Sequence, residues 1–175
     1  MFDLERFIAD CRQAVLTDPG HEHVQDILLR AVADPAAISK ALGEPKPRQL
    51  YRSHSLTILN VAFPAGFTAS PHDHGMWSVI GIYDGQEDNV FWRRLRTDDG
   101  ERIEAAGAKS LATGDVKPLG KDIIHSVTNP TSRPSCAIHI YGGDFFDVPR
   151  SEWDPETLVE HPLDVENLSR IFGQG

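Results

Sequence analysis

From Gln49 onward the sequence is cut into short apolar segments by glycine, proline, asparagine and aspartate, and this change of period limits the possible folds. Residues 55–63, 77–83, 90–96, 115–119, 123–127 and 136–141 are rich in β-branched and aromatic side chains, which predicts strands. Asp84-Gly85 and Asp98-Asp99-Gly100 carry the chemistry of hairpin turns. Strands at roughly ten-residue spacing indicate a mainly β sandwich or small barrel.

The chain before this point has a different rhythm. Phe2, Leu4, Phe7, Ile8, Cys11, Val15 and Leu16 recur at three- and four-residue spacing, the apolar stripe of a helix. Asp18-Pro19-Gly20 ends it. Val24, Ile27, Leu28 and Ala31 form a second stripe, and Asp34-Pro35 opens a third helix by the cap-then-proline rule. Pro45 and Pro47 close the helical part. At 175 residues the chain is read as one domain, with helices over 1–48, a barrel over 49–148 and a tail over 149–175. The tail carries two short helical patches, near 155–160 and 165–172.

Composition excludes some partners. A net charge of −9 argues against nucleic acid or an anionic membrane, since either needs a basic surface. Arg93-Arg94-Leu95-Arg96 is the candidate basic patch and reads as solvated arginines on a strand edge. Cys11 and Cys136 make neither a disulfide framework nor a metal-binding pair, and the acidic N-terminus is unlike a signal peptide. A cytoplasmic location is expected.

Chemistry concentrates in Pro71-His72-Asp73-His74-Gly75-Met76-Trp77-Ser78. On a strand His72 and His74 point to one face and Asp73 to the other, so two imidazoles can converge on one ion. Asp73 is expected to face outward and bond a backbone amide. His21, His23, His54 and His161 fall outside any such pattern and are read as exposed or structural. Trp77, Phe91 and Trp92 are read as packing residues.

Gly66, His72, His74 and Gly85 resemble the first cupin motif, and Gly114, Pro118, Gly120, His125 and Asn129 resemble the second with two spacings altered. The resemblance covers about residues 50–146 and implies a double-stranded β-helix, a jelly-roll barrel binding a metal through its motif histidines. Where that motif supplies a glutamate ligand, this chain has Ser78 followed by Val79. The implied ligands are therefore His72, His74 and His125, three neutral donors without a carboxylate. Such donors suit Fe(II), Mn, Ni, Cu or Zn, and an ion so held keeps its full charge and favours anionic ligands.

The thiol dioxygenases, cysteine dioxygenase and 3-mercaptopropionate dioxygenase, depart from the cupin motif in the same manner, and the chain resembles a bacterial member. Ala137-Ile138-His139-Ile140-Tyr141 resembles their Ser-x-His-x-Tyr triad, with alanine for serine and Ser135 two positions upstream. The resemblance implies Fe(II) as cofactor, a small thiol and O2 as substrates, and a sulfinate as product. It makes Tyr141 the residue that hydrogen-bonds the iron-bound substrates and His139 the residue that fixes its hydroxyl. The cysteine that mammalian cysteine dioxygenase links to its tyrosine corresponds to Val79, and Cys136 should face away from Tyr141, so no cross-link is expected. Arg52, in a segment resembling the family's Tyr-x-Arg, is the expected clamp for the substrate carboxylate, with Arg150 as the other contender. Two alternatives stay open: a zinc hydrolase or lyase on the same three histidines, and a non-catalytic cupin binding a small ligand.

Overall fold

The computed structural model describes residues 1–97 and 100–173. Three helices come first: α1 (Leu4–Thr17), α2 (Glu22–Val32) and α3 (Pro35–Leu42). Asp3 caps α1 by accepting the Arg6 amide. Asp34 caps α3 by accepting the Ala37 amide, with Pro35 at the first helical position.

Strands β1 (Arg48–Arg52), β2 (Thr57–Phe63), β3 (Thr68–Asp73), β4 (Ser78–Asp84), β5 (Gln86–Thr97), β6 (Gly100–Ala112), β7 (Val116–Leu119), β8 (Ile124–Thr128), β9 (Ser135–Tyr141), β10 (Ser151–Trp153) and β11 (Glu160–Pro162) follow, and helix α4 (Val165–Phe172) comes last. They form two antiparallel sheets, one in the order β1-β2-β9-β4-β7 and one in the order β11-β10-β3-β8-β5-β6. The chain crosses repeatedly from one sheet to the other, which makes a double-stranded β-helix.

Strand β9 sits in the middle of the first sheet and is buried along its whole length. Its outward side chains, Cys136, Ile138 and Ile140, join Ile58, Val79, Leu28, Val32 and Ile38 in a core between the sheet and the helices. Its inward side chains, Ser135, Ala137, His139 and Tyr141, face the barrel interior. This division seats α2 on β4 so closely that Gly81 has no room for a side chain. A Cβ there would lie 2.7 Å from Leu28 Cγ and 3.0 Å from Val32 Cγ1, and both residues are buried. Gly81→Ala is expected to cost about 1–3 kcal/mol by overpacking, read as a fall in Tm of roughly 2–10 °C on thermal unfolding.

Several expectations change. Asp84-Gly85 is a corner and not a hairpin, because β4 and β5 lie in different sheets. Gly85, at φ 79°, passes so close to Ser135 that an added Cβ would sit 3.0 Å from its Cα. β5 and β6 do pair antiparallel up to Thr97 and Gly100, while Asp98 and Asp99 of the expected turn lie outside the described residues. The patch at 155–160 is a turn, held by Asp154 Oδ1 accepting the amides of Glu156 and Thr157. Arg93 and Arg94 are paired, with Glu104 and with Glu160. No helix among the described residues is long and apolar enough to cross a membrane.

Candidate metal centre

His72, at the end of β3, stands directly opposite His125 of β8, and His74 follows one step beyond the strand. Two-residue alternation keeps His72 and His74 on the interior side, while Asp73 turns outward and accepts the Ser151 amide at 3.0 Å. The three imidazoles meet with ring centroids 4.6–5.2 Å apart. One ligand nitrogen from each lies within 4.8 Å of the others.

Each ring is oriented by a bond at its other nitrogen. His72 Nδ1 donates to the Ser70 carbonyl at 2.8 Å, and His125 Nδ1 meets Asn89 Oδ1 at 2.9 Å. His74 Nδ1 meets the hydroxyl of Ser78 at 3.0 Å. Ser78, where the motif has glutamate, thus serves a ligand instead of being one. With Nδ1 occupied, the Nε2 atoms turn toward one another, and those of His74 and His125 approach to 3.2 Å. Two neutral rings facing each other this way cannot both present lone pairs without a shared cation. Burial, followed by the neighbouring imidazoles, holds His74 and His125 well below the usual histidine range. Burial also lowers His72. Three neutral, oriented nitrogens fit a divalent transition ion, and no carboxylate joins them among the described residues.

Tyr141 lies against this cluster, its ring edge-on to His74 at 5.2 Å and its hydroxyl 3.1 Å from His139 Nδ1. Burial pushes His139 down to about 3 and Tyr141 up, so both are neutral. His139 Nε2 has no hydrogen-bond partner. Ala137 is fully buried two positions before it, and Ser135 bonds Glu87 rather than His139. Cys136 packs among the helices, on the opposite side of β9 from Tyr141.

The two candidate arginines differ sharply. Arg52 Nε bonds Asp144 at 2.8 Å at the exposed end of β1, so its charge is already matched. Arg150 is 7% exposed, and none of its guanidinium nitrogens has a hydrogen-bond partner. Its charge is felt by His72, His74 and Tyr141. The arginine that faces the cluster is therefore Arg150, contributed by the connection between β9 and β10. Sequence pattern also passed over Asn89 and Glu87. Inward parity with Phe91 on β5 was the one signal available for them.

No family model matches the sequence. Solved structures similar to the chain include a cupin-family protein with a double-stranded β-helix fold from Methanocaldococcus jannaschii, at 10% identity over 59% of this chain and 85% of that one, TM-score 0.46. A Bacillus halodurans protein aligns at 13% identity over 60% of this chain and 76% of that one, TM-score 0.50. The DMSP lyase DddQ from Ruegeria pomeroyi aligns at 23% identity over 59% of this chain and 46% of its own length, TM-score 0.45. At these identities the likeness concerns the fold alone. The strand order and the histidine cluster together describe a mainly β, double-stranded β-helix of the cupin kind, with N-terminal helices on its first sheet and a three-histidine site suited to a metal ion.

Proposed function

We propose that the chain is a non-haem Fe(II)-dependent thiol dioxygenase acting on a small thiol carboxylate, cysteine or 3-mercaptopropionate, to give a sulfinate. The observation that carries this reading is a carboxylate-free histidine cluster with the bonded Tyr141–His139 pair at its edge and the unpaired cation of Arg150 beside it. His72, His74 and His125 would hold the ion, and Fe(II) there supplies the redox chemistry that joins O2 to a thiolate sulfur.

The chain's own residues do the rest. Arg150 receives the substrate carboxylate through paired N–H donors, a match of planar fork to planar anion. This binding satisfies donors that are otherwise buried without partners. His139, neutral, holds the Tyr141 hydroxyl. With its proton on Nδ1 it donates to the phenol oxygen and leaves the phenol O–H free to turn toward the ligand. Leu59, Met76 and Phe145 pack around Tyr141 and exclude water on that side.

Protein loaded anaerobically with Fe(II) is expected to consume O2 and form sulfinate with cysteine or 3-mercaptopropionate. No uptake with any small thiol rejects the proposal, and zinc without iron in protein from unsupplemented cells favours a hydrolase or lyase instead. Arg150→Gln is expected to raise KM for thiol carboxylates at least about thirty-fold, the cost of stripping one partner from a buried charged pair. Arg52→Gln, at an exposed ion pair, leaves KM near the native value.

A further inference from the structure

A buried guanidinium needs something to hold it, and here no hydrogen bond does so. Asp73 favours the Arg150 charge, yet its oxygens serve the Ser151 amide and Arg94. What lies against the cation is a ring: the Arg150 guanidinium carbon stands 3.8 Å from the centroid of Phe145. We propose that Phe145 is the positioning residue of Arg150, holding the guanidinium by its face so that the N–H edges stay free for an anionic ligand. The proposal rests on the reading of Arg150 as the anion clamp.

The geometry suits this task. A guanidinium carries all its donors in its own plane, pointing sideways, so a ring against its face consumes none of them. A carboxylate partner would consume donors and cancel the charge. The negative face of the ring attracts the cation without doing either, and most strongly where water is excluded. Phe145 is itself firmly seated and 6% exposed. Its amide donates to Thr57 Oγ1 at 3.0 Å, and that hydroxyl donates to the Gly143 carbonyl at 2.8 Å. Its ring meets Tyr141 at 4.3 Å, Phe146 at 5.1 Å and Phe172 of α4 at 6.4 Å. One ring therefore touches both the proposed clamp and the proposed hydroxyl donor, and the C-terminal helix backs it from outside.

The test is calorimetric binding, without turnover, to protein loaded with redox-silent zinc. The probes are 3-mercaptopropionate and neutral 2-mercaptoethanol. Mono-, di- and trifluorinated phenylalanine at position 145 weakens the ring face in steps with little change in size. Affinity for 3-mercaptopropionate is expected to fall stepwise, reaching about ten-fold or more at the trifluorinated ring, while affinity for 2-mercaptoethanol stays constant. Phe145→Leu should show the same selective loss and Phe145→Tyr should restore binding, with thermal unfolding confirming that each variant folds. Equal affinity across the fluorinated series, or equal losses for both thiols, overturns the proposal. Arg150→Gln separates the two readings. Anion binding lost in Arg150→Gln but constant across the series overturns Phe145 alone, and anion binding unchanged in Arg150→Gln overturns the clamp together with it.

Discussion

His125→Ala is expected to lower the affinity for a divalent transition ion by more than about 100-fold, with oxygen uptake lost alongside. The magnitude follows from what surrounds the ring. Outer partners of metal-bound histidines are worth roughly 10–100-fold each, and His125 brings both a donor nitrogen and the outer partner Asn89. Removing it leaves two nitrogens from alternate positions at one strand end, with no ligand from β8 opposite them. Asn89→Ala gives the graded companion: the ligand stays but its Nδ1 bond goes, and affinity should fall by about 10–100-fold. Competition titration against a chromophoric chelator reads both. Native affinity in His125→Ala would remove the three-histidine centre from consideration.

A second large effect lies deeper in the barrel. Glu87 is fully buried, with one oxygen 3.4 Å from the Ser135 hydroxyl and the other without a partner. Burial raises its carboxyl from 4.5 to about 7. Between those values the unfolded chain has lost the proton while the folded barrel still holds it. Folding therefore takes up a proton at Glu87 there, and the contribution of this group to stability falls as pH rises through that window. The interval corresponds to about 3 kcal/mol, present below the lower value and gone above the upper one. Glu87→Gln keeps a polar group for Ser135 and cannot ionise. Urea unfolding across the interval should show the native chain losing stability relative to the variant as pH rises, on top of the opposite slope that the buried histidines give to both chains. Above about pH 7 the variant should be the more stable, by up to about 3 kcal/mol. Parallel slopes would show that Glu87 does not set this dependence.

What the sequence disclosed, and what it hid, follow from the range of the interactions involved. The N-terminal helices were legible because their stripes and caps are local: Asp34-Pro35 alone places the start of α3. The histidine pair was legible because strand alternation acts between neighbours. β1 was missed because Arg48, Gln49 and Arg52 make it polar at the edge of its sheet. β6, with its alanines, glutamates and lysine, has Ile103 as its one β-branched residue and is a strand because β5 pairs along it. β10 and β11 are three residues each, too short for any period to show. Arg150 and Asn89 take their meaning from histidines far along the chain, and Phe145 from an arginine five residues on in an irregular loop, so no strand or helix spacing encodes any of them. Arg52 drew notice by its place before the first strong strand, whereas its match, Asp144, lies 92 residues away.

Strand β9 ties the helical layer to the surroundings of the histidine cluster by parity. Ile138 and Ile140 glue the helices on, and His139 and Tyr141 face the interior, so a slip of one residue would swap the two sets at once. Adhesion of the outer layer and the make-up of the histidine-lined interior then fail together, so an insertion within that strand harms both at once.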